Sequence, residues 1–280
     1  MGGRLSRGWQ LTKVSWATLR SDRSLGAFPV LAAIAGILLA AAFGAPAALL
    51  WSDDMNVVAI IVAAVGIYAI TFAAIFFNVA LAGAAGQVLD GEDATVASGM
   101  AVARANIGAV AGWAAMVASV NIIVRALQDR AGPLGDILLG GLLVAWNLVT
   151  FLAVPVIAAE GTGPITTLKR AAHIFRERWG EQVTGQFAIG GLIFLVAILP
   201  ALVIAGIGVV SGNVVAMVIT IAFAAIVIII ASIVSAALSQ IFAVALYRYA
   251  IGEGSTGRFT EEDLSSAVRP RKGRLGLGRT

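Results

Sequence analysis

The sequence contains no cysteine, a single histidine and only three lysines among its 280 residues. Without thiols, disulfides, thiolate catalysis and cysteine-ligated metal are excluded. His173 alone cannot build a metal site, so no cofactor is expected. Charge is scarce as well, 12% of residues against about 25% in a soluble protein. No Asp, Glu, Lys, Arg or His falls in the central part of the long apolar runs, which removes the usual mark of a proton or ion pathway. The ten-residue alternation of an outer-membrane barrel is missing too. The first 27 residues carry Arg4, Arg7, Lys13, Arg20 and Arg23 but no short apolar core with a cleavage motif. They do not read as a removable signal peptide, and the mature chain is expected to begin here.

Apolar residues, at 60% of the chain, fill what charge leaves vacant. Mean hydropathy is +0.96, and the apolar residues lie in long runs of the length, about 20 residues, that carries a helix across about 30 Å of hydrocarbon. Helix satisfies every backbone group inside lipid. The expected fold class is therefore all-α, a polytopic transmembrane bundle of six spans at about 29–50, 57–87, 107–125, 134–159, 183–210 and 214–247. Residues 1–251 read as one transmembrane domain and 252–280 as a polar, basic tail, with Thr260 and Asp263 suited to cap a short helix over 261–268. Pro29 suits a helix start, and Trp51 an interfacial anchor. Pro46, Pro155 and Pro200 should each kink a helix by leaving a carbonyl unpaired.

Seventeen of the 19 basic residues fall on one side of this topology; the other side holds Arg125 and Arg130. Positive residues are retained in the cytoplasm, so both termini are expected inside, in a bacterial plasma membrane. The anionic inner leaflet is then the expected partner of the bases, worth about 1 kcal/mol for each base near it. A sequence pI near 10.0 thus needs no nucleic acid. Few lysines and much alanine and glycine suggest a GC-rich genome.

Amphipathic stretches interrupt the spans. Over 5–23, Leu5, Trp9, Thr12, Trp16 and Leu19 recur at helical spacing with Arg4, Arg7, Lys13 and Arg20 off the stripe, as in a helix lying on a membrane surface. Over 164–179, Ile165, Leu168, Ala172, Phe175 and Trp179 form one face against Lys169, Arg170, His173 and Arg176. Trp9, Trp16 and Trp179 are the expected surface anchors. Ala94 to Arg104 is a shorter third case. The order amphipathic helix, span, turn, span then occurs three times, with echoes in Asp90-Gly91, Glu160-Gly161 and Gly252-Glu253. A threefold internal repeat and the ordinary use of glycine and acid on re-entry explain these echoes equally well.

Few residues are left to carry chemistry, and an enzyme is not expected. An intramembrane enzyme would need Glu160, Glu181 and His173 to converge. Gly108 and Gly112 form a GxxxG pattern that reads as bundle packing ahead of a homodimer contact. Asn78, Asn147, Thr150, Ser235, Ser239 and Gln240 lie in the inward-running member of each repeat. They could ring a cytoplasm-facing cavity, or they could join helices by hydrogen bonds, and the second weighs more. The function read from this is a non-enzymatic membrane protein with a structural or regulatory role. The alternative is a passive permease or lipid-handling transporter that uses the polar ring. A homo-oligomer is compatible with either, and no protein partner is legible.

Certain short motifs, in order, carry a resemblance. They are Arg7-Gly8-Trp9, Ser15-Trp16, Phe28-Pro29, Phe77-Asn78-Val79-Ala80-Leu81 and Leu89-Asp90-Gly91-Glu92-Asp93, then Trp146-Asn147-Leu148, Pro155-Val156, Glu160-Gly161, Trp179-Gly180-Glu181 and Ala245-Leu246-Tyr247-Arg248-Tyr249. Over most of residues 4–250 the chain resembles an uncharacterised, domain-of-unknown-function family of six-span prokaryotic membrane proteins. More distantly it is similar to the membrane portions of some glycerophosphodiester phosphodiesterases, without their hydrolase domain. The resemblance implies a plasma-membrane location and adds no substrate.

Overall fold

In the computed structural model, residues 15–19, 22, 24–51, 56–128, 132–179 and 193–252 are described. All regular structure among them is helical: α1 (Ser24–Leu49), α2 (Asn56–Leu89), α3 (Val96–Ala105), α4 (Ile107–Gln128), α5 (Pro133–Glu160), α6 (Pro164–Trp179), a π-helical turn (Phe194–Ile198), α7 (Leu199–Val210) and α8 (Val214–Ile251). Five helices are long and apolar enough to cross a membrane, within α1, α2, α4, α5 and α8. Phe194–Val210 is a shorter apolar stretch. Residues 183–192, the expected start of the fifth span, lie outside the described residues, as do the tail helix at 261–268, Trp9 and the Trp179 side chain.

Local rules explain most boundaries. α1 begins at Ser24, a turn before Pro29, where Asp22 Oδ1 accepts the Ser24 N–H at 2.8 Å. Pro29 therefore sits inside the helix and does not start it. The segment 94–104 is a capped helix: Thr95 and Ser98 exchange side-chain and backbone bonds in a capping box at the start of α3. Pro200 has no N–H for the carbonyl four residues back, and just before it the helix widens so that the Leu199 N–H bonds Phe194 O. The expected distortion at Pro200 is thus a π-helical turn.

α2 is the hub, packing against α1, α3, α4, α5 and α8. α2, α5 and α8 each run out at a glycine with positive φ: Gly91 at +81°, Gly161 at +61° and Gly252 at +92°. Those three glycines mark one end of the bundle, and the apolar core gathers there. It comprises Leu25 and Phe28 of α1, Ile75 to Leu89 of α2, Val110 and Trp113 of α4, Leu152 to Ile157 of α5 and Ala237 to Tyr247 of α8. Toward the other end Ile37, Leu49, Val57, Val210 and Val214 are exposed. Small residues allow the close packing. A Cβ on Gly99 of α3 would lie 2.5 Å from Phe28 Cζ and 2.6 Å from the Ala80 carbonyl oxygen, so only glycine lets α3 sit down on α1 and α2.

Candidate functional site

Polar and charged side chains concentrate at the glycine-marked end. Asp90, just past α2, is gripped by the two terminal guanidinium nitrogens, Nη1 and Nη2, of Arg248 near the end of α8; the Nη2 to Oδ2 bond is 2.7 Å. Gly86, one turn before Asp90, leaves room for the guanidinium, since a Cβ there would meet Arg248 Nη2 at 3.3 Å. The Arg248 hydrogen bond outweighs the opposing effect of burial and, with a smaller contribution from the Arg248 charge, holds the Asp90 carboxyl below its ordinary value. Glu160, the last residue of α5, accepts from Tyr247 Oη of α8 and from Arg170 Nε of α6, each at 2.9 Å. The acids that close α2 and α5 thus both reach consecutive residues of α8. These ties were invisible in sequence, being 158 and 87 residues apart. The available signal was an acid directly before each helix-ending glycine.

The polar ring is placed as follows. Asn78, Thr150, Ser235 and Ser239 are half-buried, Asn147 is exposed, and Gln240 is 9% exposed with no partner for its Nε2. Thr150 turns back to the Asn147 carbonyl of its own helix at 3.2 Å. Around these positions α2, α5 and α8 bury Ile75, Val79, Leu152, Val156, Leu238, Ile241 and Phe242 in the shared core.

The surface helices are oriented by what they bury. Over 15–19, Ser15 and Thr18 are buried, whereas Trp16 is 40% exposed. Among the described side chains of α6, Thr167, Ala171 and Ile174 are buried. The expected apolar face is divided: Leu168 and Phe175 are half-buried against the core, whereas Ile165 is 65% exposed. Thr167 tolerates burial because its hydroxyl meets both the Thr162 carbonyl, at 2.8 Å, and the Thr162 hydroxyl, at 2.9 Å. On the outer face Lys169, Ala172, His173 and Arg176 line a cleft of about 630 Å³. Of the glycine pair in α4, a Cβ added at Gly112 would lie 3.1 Å from Pro164 Cδ, while one added at Gly108 would have nothing within 4 Å. Among the described residues no three His, Cys, Asp or Glu side chains gather as metal ligands; Glu181, one of the three residues whose convergence an intramembrane enzyme would need, lies outside the described residues.

A family described as "Family of unknown function (DUF6159)" matches residues 55–258. The chain belongs to that family. No curated protein and no solved structure matches it.

Proposed function

We propose that this member of a family of unknown function is a non-enzymatic, multi-pass protein of the bacterial plasma membrane with a structural or regulatory role at the inner face. Six spans complete the proposed topology. Phe194–Val210 supplies the described part of the fifth, and both termini are cytoplasmic. The observation that carries the reading is the concentration of core, ion pairs and amphipathic helices at one end of a bundle whose other half leaves its apolar side chains exposed. At about 1.5 Å per residue, α2 and α8 are roughly 50 Å or more long, well beyond about 30 Å of hydrocarbon. Their glycine-marked ends therefore project into water or headgroups, where burial of apolar surface is rewarded. Residues 1–251 form one domain built on this plan, and a threefold repeat would account for the acid-glycine endings of α2 and α5 and the glycine ending of α8. The anionic leaflet is the proposed partner, with Trp16 at the interface beside it.

The permease reading retains one supporting observation, the unpartnered Nε2 of Gln240. Reconstitution of the full chain in liposomes separates the two. The structural role predicts that entrapped solutes and a fluorescent lipid cross at the rate of protein-free vesicles. Passage above that rate, abolished by Asn78→Leu together with Asn147→Leu, would replace it with the transporter.

A further inference from the structure

We propose that the cleft on α6 binds the phosphate of an anionic glycerophospholipid. The inference rests on the reading that the glycine-marked end lies at a bilayer surface, and it names the ligand and the residues. Lys169, His173 and Arg176 follow at spacings of four and three, which places them on one helical face within about 10 Å. Together with Ala172 they line the cleft, and no carboxylate lines it among the described residues.

Four described basic side chains at this end fall into two groups. Arg170 is held by Glu160 and Arg248 by Asp90, and these pairs join helices. Lys169 and Arg176 are exposed and have no carboxylate within ion-pair distance among the described residues. A lysine point charge beside an arginine fork suits phosphate oxygens. Basic clefts beside transmembrane helices are recognised sites for anionic headgroups.

The frame that holds these bases is fixed. Thr167, Ala171 and Ile174 bury the opposite face of α6, and the Arg170–Glu160 pair ties it to α5. Exposed Ile165, one turn before Lys169, offers apolar surface on the same side. That feature favours a lipid over a soluble phosphate ester, because it gives an acyl chain somewhere to lie.

The test titrates the full chain in mild detergent with phosphatidylglycerol or phosphatidylcholine, reads bound lipid by native mass spectrometry, and uses glycerol 3-phosphate as competitor. Phosphatidylglycerol should be preferred, and K169Q/R176Q should weaken it by about tenfold or more, as loss of two surface bases implies. R269Q/R271Q, the same charge change in the tail, should stay within about twofold. A172F keeps both charges but fills the cleft, and it should also weaken binding. This variant decides the matter should K169Q/R176Q fail to fold. Equal weakening by both charge variants would reduce the effect to diffuse attraction and overturn the site. Wild-type binding in A172F, or displacement by glycerol 3-phosphate as effectively as by lipid, would overturn it too. Detergent makes the result independent of orientation, so an inverted topology would defeat the proposed inner-face role and leave this measurement standing.

Discussion

The two halves of α2 are made of similar residues and live in different surroundings. From 56 to 70 only Ala59 and Gly66 are buried, and Val57, Ile60, Ile61 and Val65 face outward. From 75 to 89, Ile75, Val79 to Ala82, Ala84 to Gly86 and Leu89 are all buried. α8 repeats the pattern, with Ile226, Ile229 and Ile230 exposed and Ala237 to Tyr247 largely buried. Hydropathy does not distinguish the halves, because both are apolar. Lipid tails are as apolar as leucine, so a span gains little by hiding isoleucine from them. Where the surroundings contain water, burial is favourable and polar groups must be paired. The glycine-marked end shows both signs, a dense core and the Asp90–Arg248 and Glu160–Tyr247 ties.

This contrast predicts unequal costs for equal changes. Phe242 of α8 is 1% exposed and Phe223 of the same helix is 51% exposed. Phe242→Ala should cost about 3 to 5 kcal/mol of unfolding free energy, as for a large-to-small core change. Phe223→Ala should cost less than about 1 kcal/mol. Thermal or denaturant unfolding of both variants in one detergent makes the comparison.

Glycine substitutions should follow the same division at smaller size. Gly99→Ala forces a methyl against Phe28 and the Ala80 carbonyl and should cost about 1 to 3 kcal/mol. A methyl added at Gly206 of α7 would have nothing within 4 Å, and Gly206→Ala should be neutral or stabilising by up to about 1 kcal/mol. Equal losses at both would mean that the open half is as tightly packed as the closed one.

The Asp90–Arg248 tie carries a pH signature. Its folded carboxyl lies below the ordinary 3.8, so its contribution is complete above that value. It fades as pH falls through the lowered folded value. Half of the Asp90 side chain is exposed, which keeps the contribution to about 1 kcal/mol. Asp90→Asn should lower the melting temperature at pH 7 and narrow its gap to wild type at pH 3. An unchanged gap at pH 3 would show that the carboxylate is not what joins α2 to α8.

Smallest of all should be the polar ring. Asn78→Leu, Asn147→Leu and Ser239→Ala should each cost no more than about 0.6 to 1.7 kcal/mol if they only join helices. Exposed Asn147 should lie at the bottom of that range. A gain in stability at all three, with loss of a bound molecule, would place them around a cavity instead.

Much of the architecture was legible because it depends on short-range pattern. Unbroken apolar length picked out the five helices long enough to span, and Thr95 with Ser98 caps α3 where a shorter amphipathic stretch was expected. Pro29 misplaced the start of α1, since Asp22 and Ser24 provide an earlier one. The single apolar face expected of α6 is divided, since Leu168 and Phe175 of that stripe pack against the core. Thr167 and Ala171 go inward, and Ile165 stays out. A helix between a bundle and a lipid surface has two apolar neighbours, and periodicity alone cannot assign them. The acid-base ties lay beyond reach for a different reason. Residues far apart in sequence meet only through the crossing of α2, α5 and α8.

The central claim is that the packed end faces the cytoplasm and the open end faces the outside, and site-directed cysteine labelling tests it most directly. The natural chain has no cysteine to give background. Asn213 lies in the turn between α7 and α8 at the open end, and Glu92 lies beyond α2 at the packed end. With an impermeant maleimide on intact cells, Asn213→Cys should be labelled, and Glu92→Cys should be labelled only after permeabilisation. Labelling of Glu92→Cys on intact cells with Asn213→Cys protected would contradict the account.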